Sequence, residues 1–217
     1  MLKANKKSIA RLYRYRNALY RLRYMGLHKF FSDNLADAVG VTASQVRKDL
    51  AIFGPLGNKR GGYLVDDLIN KLNEILGKDK PQNIIIVGYG NIGMALKHYK
   101  GFEREGINIV AVFDNDPSKI NREDSVPVLP LEELKDFVEK NKITVGVMAV
   151  PDVAAQQVVD IMCSGGIKGI LNFAPIRLDI PEGFVINNVN VGVELETVIY
   201  FVNALEKSDN QDERTES

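Results

Sequence analysis

The stretch IIIVGYGNIGMALKHY, Ile84–Tyr99, decides the fold of this chain. Three glycines, Gly88, Gly90 and Gly93, form the pattern G-x-G-x-x-G directly after an apolar run and at the start of a helical segment. The first glycine allows a tight turn, the second lets the backbone approach a pyrophosphate, and the third permits close packing of helix on strand. The pattern alone is weak, but in this context it indicates a dinucleotide-binding βαβ unit.

An acidic residue stands where such a unit binds an adenosine ribose. Asp114 ends the next apolar run, NIVAVFD, 21 residues after Gly93. Its carboxylate would accept hydrogen bonds from the ribose and repel a 2′-phosphate, and the following Asn115 supplies no cation. We therefore expect NAD(H) rather than NADP(H) as the ligand. The alternative is a degenerate fold of this type that binds no nucleotide.

The other candidate cofactor residues follow apolar runs, because ligands bind at the carboxyl ends of strands in open α/β sheets. We expect Asn172 to bond a carboxamide and Phe173 to cover a ring, although loop packing explains these positions equally well. The full predicted set is Gly88, Tyr89, Gly90, Asn91, Ile92, Gly93, Asp114, Val150, Pro151, Asn172, Phe173 and Ala174.

The charges of the chain are divided unevenly around this unit. Residues 1–80 hold 16 Lys and Arg against 7 Asp and Glu, whereas residues 81–217 hold 12 against 21. A split of this kind indicates that the first part meets a polyanion and the second does not. The alternative is that the surface charges are segregated by chance. The imbalance, however, coincides with the predicted domain boundary near residue 80.

Composition places the chain among globular proteins of the cytoplasm. It has 217 residues, of which 45% are hydrophobic and 26% charged, so it can bury a core of its own. Cys163 is the only cysteine, which excludes an internal disulfide and favours a reducing compartment. The first residues do not resemble a signal peptide, and no apolar run reaches the roughly 18 residues of a membrane helix. Two His and one Cys make a metal site an unlikely design.

The first eighty residues predict a winged helix-turn-helix. Helical spacing runs over residues 8–25 and 32–40, where Ser32 can cap the second helix. A third helix follows Thr42, which forms a capping-box pattern with Gln45. The tight Gly-Val-Thr turn before it is typical of a helix-turn-helix. The segment GPLGNKRGGY, Gly54 to Tyr63, predicts a hairpin or loop, and KDKPQ, Lys78 to Gln82, predicts a linker.

Basic and polar residues of this half are candidate DNA contacts. The N-terminal part of the third helix would reach base edges; for Gln45 the alternative role is the capping box. A hairpin tip suits a narrow minor groove, and Arg11, with Lys6, Lys7 and Arg14, suits phosphates. For each, a solvated charge is the alternative. The predicted set is Arg11, Ser44, Gln45, Arg47, Lys48, Lys59 and Arg60.

From residue 83, apolar runs alternate with helical segments, as in an open α/β sheet. NIIIVG, NIVAVFD, VGVMAVP, GIKGILNF and FVINNVNV predict strands. A final helix, Glu194 to Lys207, carries a strong apolar face. We therefore assign residues 1–80 to a winged-helix DNA-binding domain, 81–190 to a Rossmann NAD(H)-binding domain, 191–207 to a C-terminal helix and 208–217 to a disordered tail.

The chain resembles the Rex family of redox-sensing transcriptional repressors over roughly residues 8–206. The resemblance rests on VTASQVRKDLAIFG, GNKRGGY, VGYGNIGMAL, VFDNDPSKI, AVP and GIKGILNFAPI. It implies a homodimer in which the C-terminal helix is swapped between subunits. It also implies binding to a palindromic, AT-rich operator, which NAD+ permits and NADH abolishes.

The sequence departs from the family pattern at two positions implied to couple the domains. The family usually has Tyr-x-Arg in the first helix, where this chain has Tyr15-Arg16-Asn17. It usually has Asp before the last helix, where this chain has Asn190. In the family that Arg and Asp join a contact between the domains that differs between redox states; Tyr99 is retained. We predict DNA binding with a weaker or altered response to NADH.

Two other classes of protein share features with this sequence. An NAD-dependent dehydrogenase with a basic appendage needs a general acid near the nicotinamide. The only histidines, His28 and His98, have no suitable carboxylate nearby in sequence, and little recommends Lys168. A CoA-binding module of the CoA-ligase kind has a similar fold, but Asp114 speaks mildly against it and the winged helix strongly. We expect a regulator without enzymatic activity.

Overall fold

The computed structural model describes residues 6–52 and 62–215, with side chains as far as Lys207. The chain divides into two compact units, residues 1–81 and 82–217. Each unit has its own buried core, and the two are described one after the other.

The first unit is a small helical domain with a two-stranded antiparallel ribbon. The ribbon pairs Lys29 with Leu64 and Phe30 with Tyr63. Its elements are α1 (Lys6–Tyr24), β1 (Lys29–Phe30), α2 (Ser32–Val39), α3 (Ala43–Ala51), β2 (Tyr63–Leu64) and α4 (Val65–Ile75).

Local capping explains where α2 and α3 begin and end. Gly40, at the end of α2, has a φ of 70°, the left-handed conformation that glycine adopts without strain. Thr42 precedes α3 and accepts a hydrogen bond from the N–H of Gln45 at 3.1 Å. The prediction that Ser32 caps α2 is wrong, because Ser32 is already helical. The side chain of Asn34 instead accepts from the N–H of Phe31 at 2.9 Å.

The core of the first unit joins α1, α3 and α4. Val46 and Leu50 form the inward face of α3, as their spacing predicts, and both are buried. They belong to one apolar cluster with Leu12 and Leu19 of α1 and Leu72 of α4. This packing leaves the N-terminal polar residues of α3 at the surface.

The second unit is built on a six-stranded parallel sheet. Its strands are β3 (Gln82–Val87), β4 (Ile107–Asp114), β5 (Val128–Pro130), β6 (Val145–Met148), β7 (Gly169–Asn172) and β8 (Val185–Asn188). The strand order is β5-β4-β3-β6-β7-β8, and every neighbouring pair is parallel. The order reverses between β3 and β6, which is where doubly wound sheets bind their ligands.

Helices cover the sheet on both faces. They are α5 (Asn91–Lys97), α6 (Gly101–Arg104), α7 (Leu134–Asn141) and α8 (Asp152–Ser164), with short 3-10 turns at Pro117–Lys119 and Leu131–Glu133. On one face, Ile85 and Phe113 pack with Met162 of α8. On the other, Ile84 and Ile86 pack with Leu96 of α5. Burial on both faces explains the near-continuous apolar runs of the sequence.

The strand β5 was not predicted. It has three residues, of which Pro130 is one, and Pro127 directly precedes it. Such a segment is too short for a periodic pattern, and prolines are found at sheet edges because they cannot donate a ladder hydrogen bond. Its place at the edge of the sheet, beside β4, fits that preference.

The last helix, α9 (Val191–Thr215), extends past the predicted end at Lys207, so the structure has helix where the sequence predicted a disordered tail as far as Thr215. Its predicted apolar stripe is exposed. The side chains that form it, Leu195, Val198, Ile199, Val202 and Leu205, are between 46% and 65% accessible.

Within residues 6–52 and 62–215, no helix is both long and apolar enough to cross a membrane. The same residues hold no group of three His, Cys, Asp or Glu side chains suited to a metal ion.

Candidate functional site

Two of the three glycines in the turn after β3, Gly88 and Gly93, leave no room for a side chain. Gly88 has a φ of 100°, and a Cβ added there would overlap the backbone of Ala149 at the end of β6. A Cβ at Gly93 would overlap the carbonyl oxygen of Gly88. The turn therefore depends on glycine for conformation and for close approach, as the sequence motif requires.

A cavity of about 670 Å³ opens at the carboxyl ends of the strands beside this turn. Its volume suits a ligand of nucleotide size. Its lining is mostly apolar, with one carboxylate and one ammonium group. The lining residues are Val87, Gly88, Gly90, Asn91, Ile92, Phe113, Asp114, Asn115, Lys119, Leu131, Ala149, Val150, Pro151, Val153, Ala154, Val158, Phe173 and Pro175.

Asp114 is held in place by the backbone of the loops around it. Its carboxylate, 6% exposed, accepts hydrogen bonds from the N–H of Tyr89 at 2.6 Å and of Asp116 at 2.9 Å. Lys119 Nζ lies 3.3 Å from the same carboxylate. Asn115 supplies no cation, as the sequence indicated, but Lys119 does, since a 3-10 turn returns it to Asp114.

That 3-10 turn could have been recognised in the sequence DNDPSK. Asp116 caps it, because its side chain accepts from the N–H of Ser118 at 3.0 Å, and Pro117 fixes its first residue. These contacts lower the pKa of Asp116, chiefly through the hydrogen bonds from Ser118. An Asp-Pro turn of this kind brings the residue three positions later, Lys119, back toward the strand end.

Tyr89 supports the cavity from outside its lining, through its backbone. Its N–H bonds Asp114, but its side chain is absent from the lining. The ring instead lies 5.1 Å from Lys97 Nζ, and Lys97 forms a 2.7 Å ion pair with Asp124. The hydrogen bond from Lys97 lowers the pKa of Asp124. This contact ties the loop after β4 to α5.

The end of β7 differs from its prediction. Phe173 lines the cavity, but Asn172 and Ala174 do not. Asn172 is fully buried, and its amide donates to the carbonyl of Ala174 at 3.1 Å and to Asn188 Oδ1 at 2.9 Å. Its own oxygen accepts from the N–H of Ala174 at 2.8 Å. Asn172 is thus occupied within the protein, and the prediction that it bonds a carboxamide is withdrawn.

In the first unit, the outward residues of α3 remain open to DNA. Ser44 and Lys48 are exposed, and Arg47 is half-buried. Lys59 and Arg60, the predicted wing contacts, lie outside the described residues. The ribbon of β1 and β2, from which such a wing would project, is present.

Two predicted DNA contacts, Arg11 and Gln45, point instead to a buried carboxylate. Asp49, on the inner side of α3, is 1% exposed. Arg11 donates to it from Nε at 2.5 Å and from its terminal nitrogen at 2.8 Å, and the amide of Gln45 donates at 2.8 Å. The hydroxyl of Tyr15 donates to it at 2.9 Å. Only half of the predicted capping box forms, because the Gln45 side chain does not return to Thr42.

These contacts set the protonation of the cluster. Burial opposes the charge of Asp49, but hydrogen bonds from Arg11, Tyr15 and Gln45 outweigh it and lower its pKa. Burial and the hydrogen bond to Asp49 raise the pKa of Tyr15. Asp49 is therefore a carboxylate paired with a guanidinium, and Tyr15 is a neutral donor.

The three predicted coupling residues have the following surroundings. Asn17 is exposed on α1. Tyr99 is 59% exposed after α5 and meets the edge of Phe102 at 5.1 Å between ring centroids. Asn190 caps α9, since its side chain accepts from the N–H of Val193 at 3.2 Å.

Both units of the chain match known protein families. Residues 79–176 match the family described as CoA binding domain, and residues 5–51 match the family described as putative DNA-binding protein N-terminus. The chain is 43% identical to the redox-sensing transcriptional repressor Rex of Desulforamulus reducens, over 95% of this chain and 99% of that protein. It is 42% identical to the Rex repressor of Pelotomaculum thermopropionicum, over 92% and 94%.

The chain belongs to the Rex family.

Solved structures of a Rex-family repressor named RSP have the same fold. The complex of RSP with NAD+ and operator DNA has a TM-score of 0.87 and 37% identity, over 96% of this chain and 97% of that one. The complex with NADH has a TM-score of 0.82 and 38% identity, over 97% and 100%. The Rex relatives are named as repressors rather than enzymes. The ligands of the RSP complexes, NAD+ and NADH, agree with the dinucleotide motif of this chain.

Proposed function

We propose that this protein is a transcriptional repressor that binds palindromic operator DNA and is released from it by NADH. The observation that carries the proposal is that one chain combines a cavity of nucleotide size beside a glycine turn with a basic helical unit whose α3 presents polar and basic side chains. The RSP structures carry the two kinds of ligand that these features fit. A dehydrogenase is less well supported, because no histidine lines the cavity among the residues that the structure describes, and Lys119 is paired with Asp114.

The cavity offers groups suited to each part of NAD(H). Gly88, Gly90 and the start of α5 offer backbone to the pyrophosphate, and Asp114 offers an acceptor to the ribose of the adenosine. The backbone hydrogen bonds to Asp114 fix that acceptor before the ligand arrives, so little ordering is needed on binding. The other nucleotide end then faces the apolar wall of the cavity.

That apolar wall favours a neutral ring over a cationic one. Its side chains include Val150, Pro151, Val153, Phe173 and Pro175, none of which bears a charge. The nicotinamide ring is cationic when oxidised and neutral when reduced, and burying an uncompensated cation is costly. We therefore expect tighter binding of NADH than of NAD+. This difference supplies the free energy by which the redox state biases the protein.

The DNA surface is assigned to the outward residues of α3. Ser44, Arg47 and Lys48 are placed to meet base edges and phosphates, with Lys59 and Arg60 proposed as the wing contacts. Arg11 and Gln45 leave the set because they bond Asp49. We also propose a cytoplasmic location, because DNA binding and a single cysteine fit a reducing compartment that holds DNA.

A second copy of the chain is proposed as the partner that covers α9. A palindrome presents two equal half-sites, which a twofold dimer matches. The apolar stripe of α9 is exposed, and full burial of each such side chain is worth roughly 1.5–3 kcal/mol. The sheet also has an open, mainly apolar groove of about 520 Å³ over β6, β7 and β8, with Val145 and Val185 at its surface. We propose a homodimer in which α9 is swapped.

A gel-retardation assay tests the function. The probe is an AT-rich inverted-repeat duplex that the protein selects from a randomised pool, with NAD+, NADH or CoA added. Retardation with NAD+ and release by NADH are expected, with no effect of CoA. Steady oxidation of NADH by small carbonyl compounds, without specific DNA binding, would establish the dehydrogenase instead.

A further inference from the structure

The most heavily bonded ionic group among the described residues of the first unit faces away from the surface assigned to DNA. Asp49 lies on α3, two residues after Arg47, yet its side chain is 1% exposed. It accepts hydrogen bonds from Arg11 and Tyr15 of α1 and from Gln45 of its own helix. All four bonds end on the two oxygens of one carboxylate.

We propose that Arg11 and Asp49 form a clamp that positions the recognition helix, and that Arg11 does not contact DNA. The proposal rests on the proposed operator binding and names the residues on which its specificity depends. The clamp joins α1 and α3 across 38 residues of sequence.

The geometry favours positioning over a phosphate contact. A guanidinium that binds one carboxylate through two nitrogens is fixed in direction, and such paired bonds are among the strongest in proteins. Its terminal nitrogen also donates to Ser8 at 3.1 Å on α1. The Arg11 side chain is only 20% exposed, so little of it remains to meet a phosphate.

The chemistry of Asp49 explains why the clamp must be complete. A buried carboxylate without its cation strongly destabilises the fold. Movement of α3 that brings Asp49 into contact with water would reduce this cost. Movement of α3 would tilt Ser44, Arg47 and Lys48 relative to α1. Base-edge contacts depend on that tilt, whereas attraction between lysines and phosphates does not.

Compensating substitutions test the clamp. Arg11→Met leaves Asp49 without its cation, and we expect the affinity for the selected operator to fall at least about tenfold, with little change for random duplex DNA. In the double variant R11M/D49N the carboxylate becomes a neutral amide that Tyr15 and Gln45 can satisfy. We expect it to recover most of the lost affinity, although the cation is still absent. Far-ultraviolet circular dichroism checks that both variants are folded at the assay temperature.

The salt dependence of binding supplies an independent reading. A phosphate contact contributes about 0.9 to the slope of log affinity against log salt concentration. We expect R11M/D49N to keep the wild-type slope, while the control Lys48→Met, on the outer side of α3, lowers it by about one.

Four other results would contradict the clamp between Arg11 and Asp49. A double variant as weak as R11M, with a lower salt slope, would assign Arg11 to phosphate and overturn the clamp. Wild-type affinity in R11M would also overturn it. If R11M lost the same affinity for operator and for random DNA, the loss would not be one of specificity, and a positioning role for Arg11 would be contradicted. Failure of the wild type to bind any inverted repeat would contradict the proposed function itself, and the clamp with it.

Discussion

Lys119 changes how the cofactor preference of this chain is explained. Asp114 discriminates against a 2′-phosphate by charge, but the ammonium 3.3 Å away partly neutralises that charge. The ion pair holds Lys119 at the ribose end of the cavity, where it would otherwise attract a phosphate. Preference for NAD(H) therefore depends on Asp114 both as an acceptor and as the partner that occupies Lys119.

The substitution Asp114→Asn tests this dependence. It removes a charged acceptor for the ribose and releases Lys119, so we expect NADH to bind about ten- to a hundredfold more weakly while NADPH binds more tightly than to the wild type. Fluorescence titration with both nucleotides measures the change. Glu123→Gln removes an exposed carboxylate farther along the same loop, outside the turn that holds Lys119, and is the control that should alter the preference little. An equal loss for both nucleotides would contradict the account.

The charge of Asp49 also predicts how stability depends on pH. Because the folded state lowers the pKa of Asp49 from 3.8, the folded form binds fewer protons than the unfolded chain near that value. The stabilisation is complete above the unfolded pKa and is lost as the pH falls through the lower, folded pKa. Denaturant unfolding should therefore show the wild type more stable than Asp49→Asn at pH 7, with the difference shrinking toward pH 3. A constant difference would contradict the assigned charge state.

At the scale of elements, sequence patterns predicted what repeats locally and missed what depends on distant partners. Spacing alone predicted the glycine turn, the inward face of α3 and five of the six strands of the parallel sheet. Arg11 was assigned to DNA and Asn172 to the cofactor, but the fold occupies both. Arg11 bonds Asp49, 38 residues away, and Asn172 bonds Asn188, 16 residues away, as well as the nearby Ala174. Spacing carries no signal of the two distant pairs. Side chains that look available in a sequence are often occupied by the fold.

The helix α9 gives the sharpest prediction at this scale. If a second copy covers its apolar stripe, then I199D/V202D places two charges in the interface, and we expect a monomer with operator affinity reduced more than about tenfold. Light scattering after gel filtration measures the mass. Ala204→Asp adds a charge on the opposite side of the helix, as 100° per residue requires, and serves as the control. A dimer that survives the double substitution would exclude this stripe as the interface.

At the scale of the whole molecule, the uneven charge now has an explanation. The basic first unit is the part proposed to meet DNA, and the acidic second unit carries the nucleotide cavity. Coupling between them is proposed to involve Asn17, Tyr99 and Asn190, where two charged residues of the Rex pattern are replaced by amides. An amide pair is a weaker link than an ion pair with hydrogen bonds, so a modest NADH response is expected.

Restoring both charges should strengthen that response. We expect N17R/N190D to be released from operator at lower NADH concentration than the wild type, with its affinity for NADH in the absence of DNA nearly unchanged. Aspartate caps a helix as well as asparagine does, so α9 keeps its first hydrogen bond. Gel retardation across an NADH series gives the comparison. A response equal to that of the wild type would remove these positions from the coupling.

The central claim is that one chain links a nucleotide site to a DNA site, and the linkage can be measured in the reciprocal direction. If NADH weakens operator binding, then operator must weaken NADH binding by the same factor. Titration of the wild-type protein with NADH, with and without saturating operator duplex, should give a dissociation constant at least about fivefold higher when operator is present. The same NADH affinity in both titrations would contradict the account.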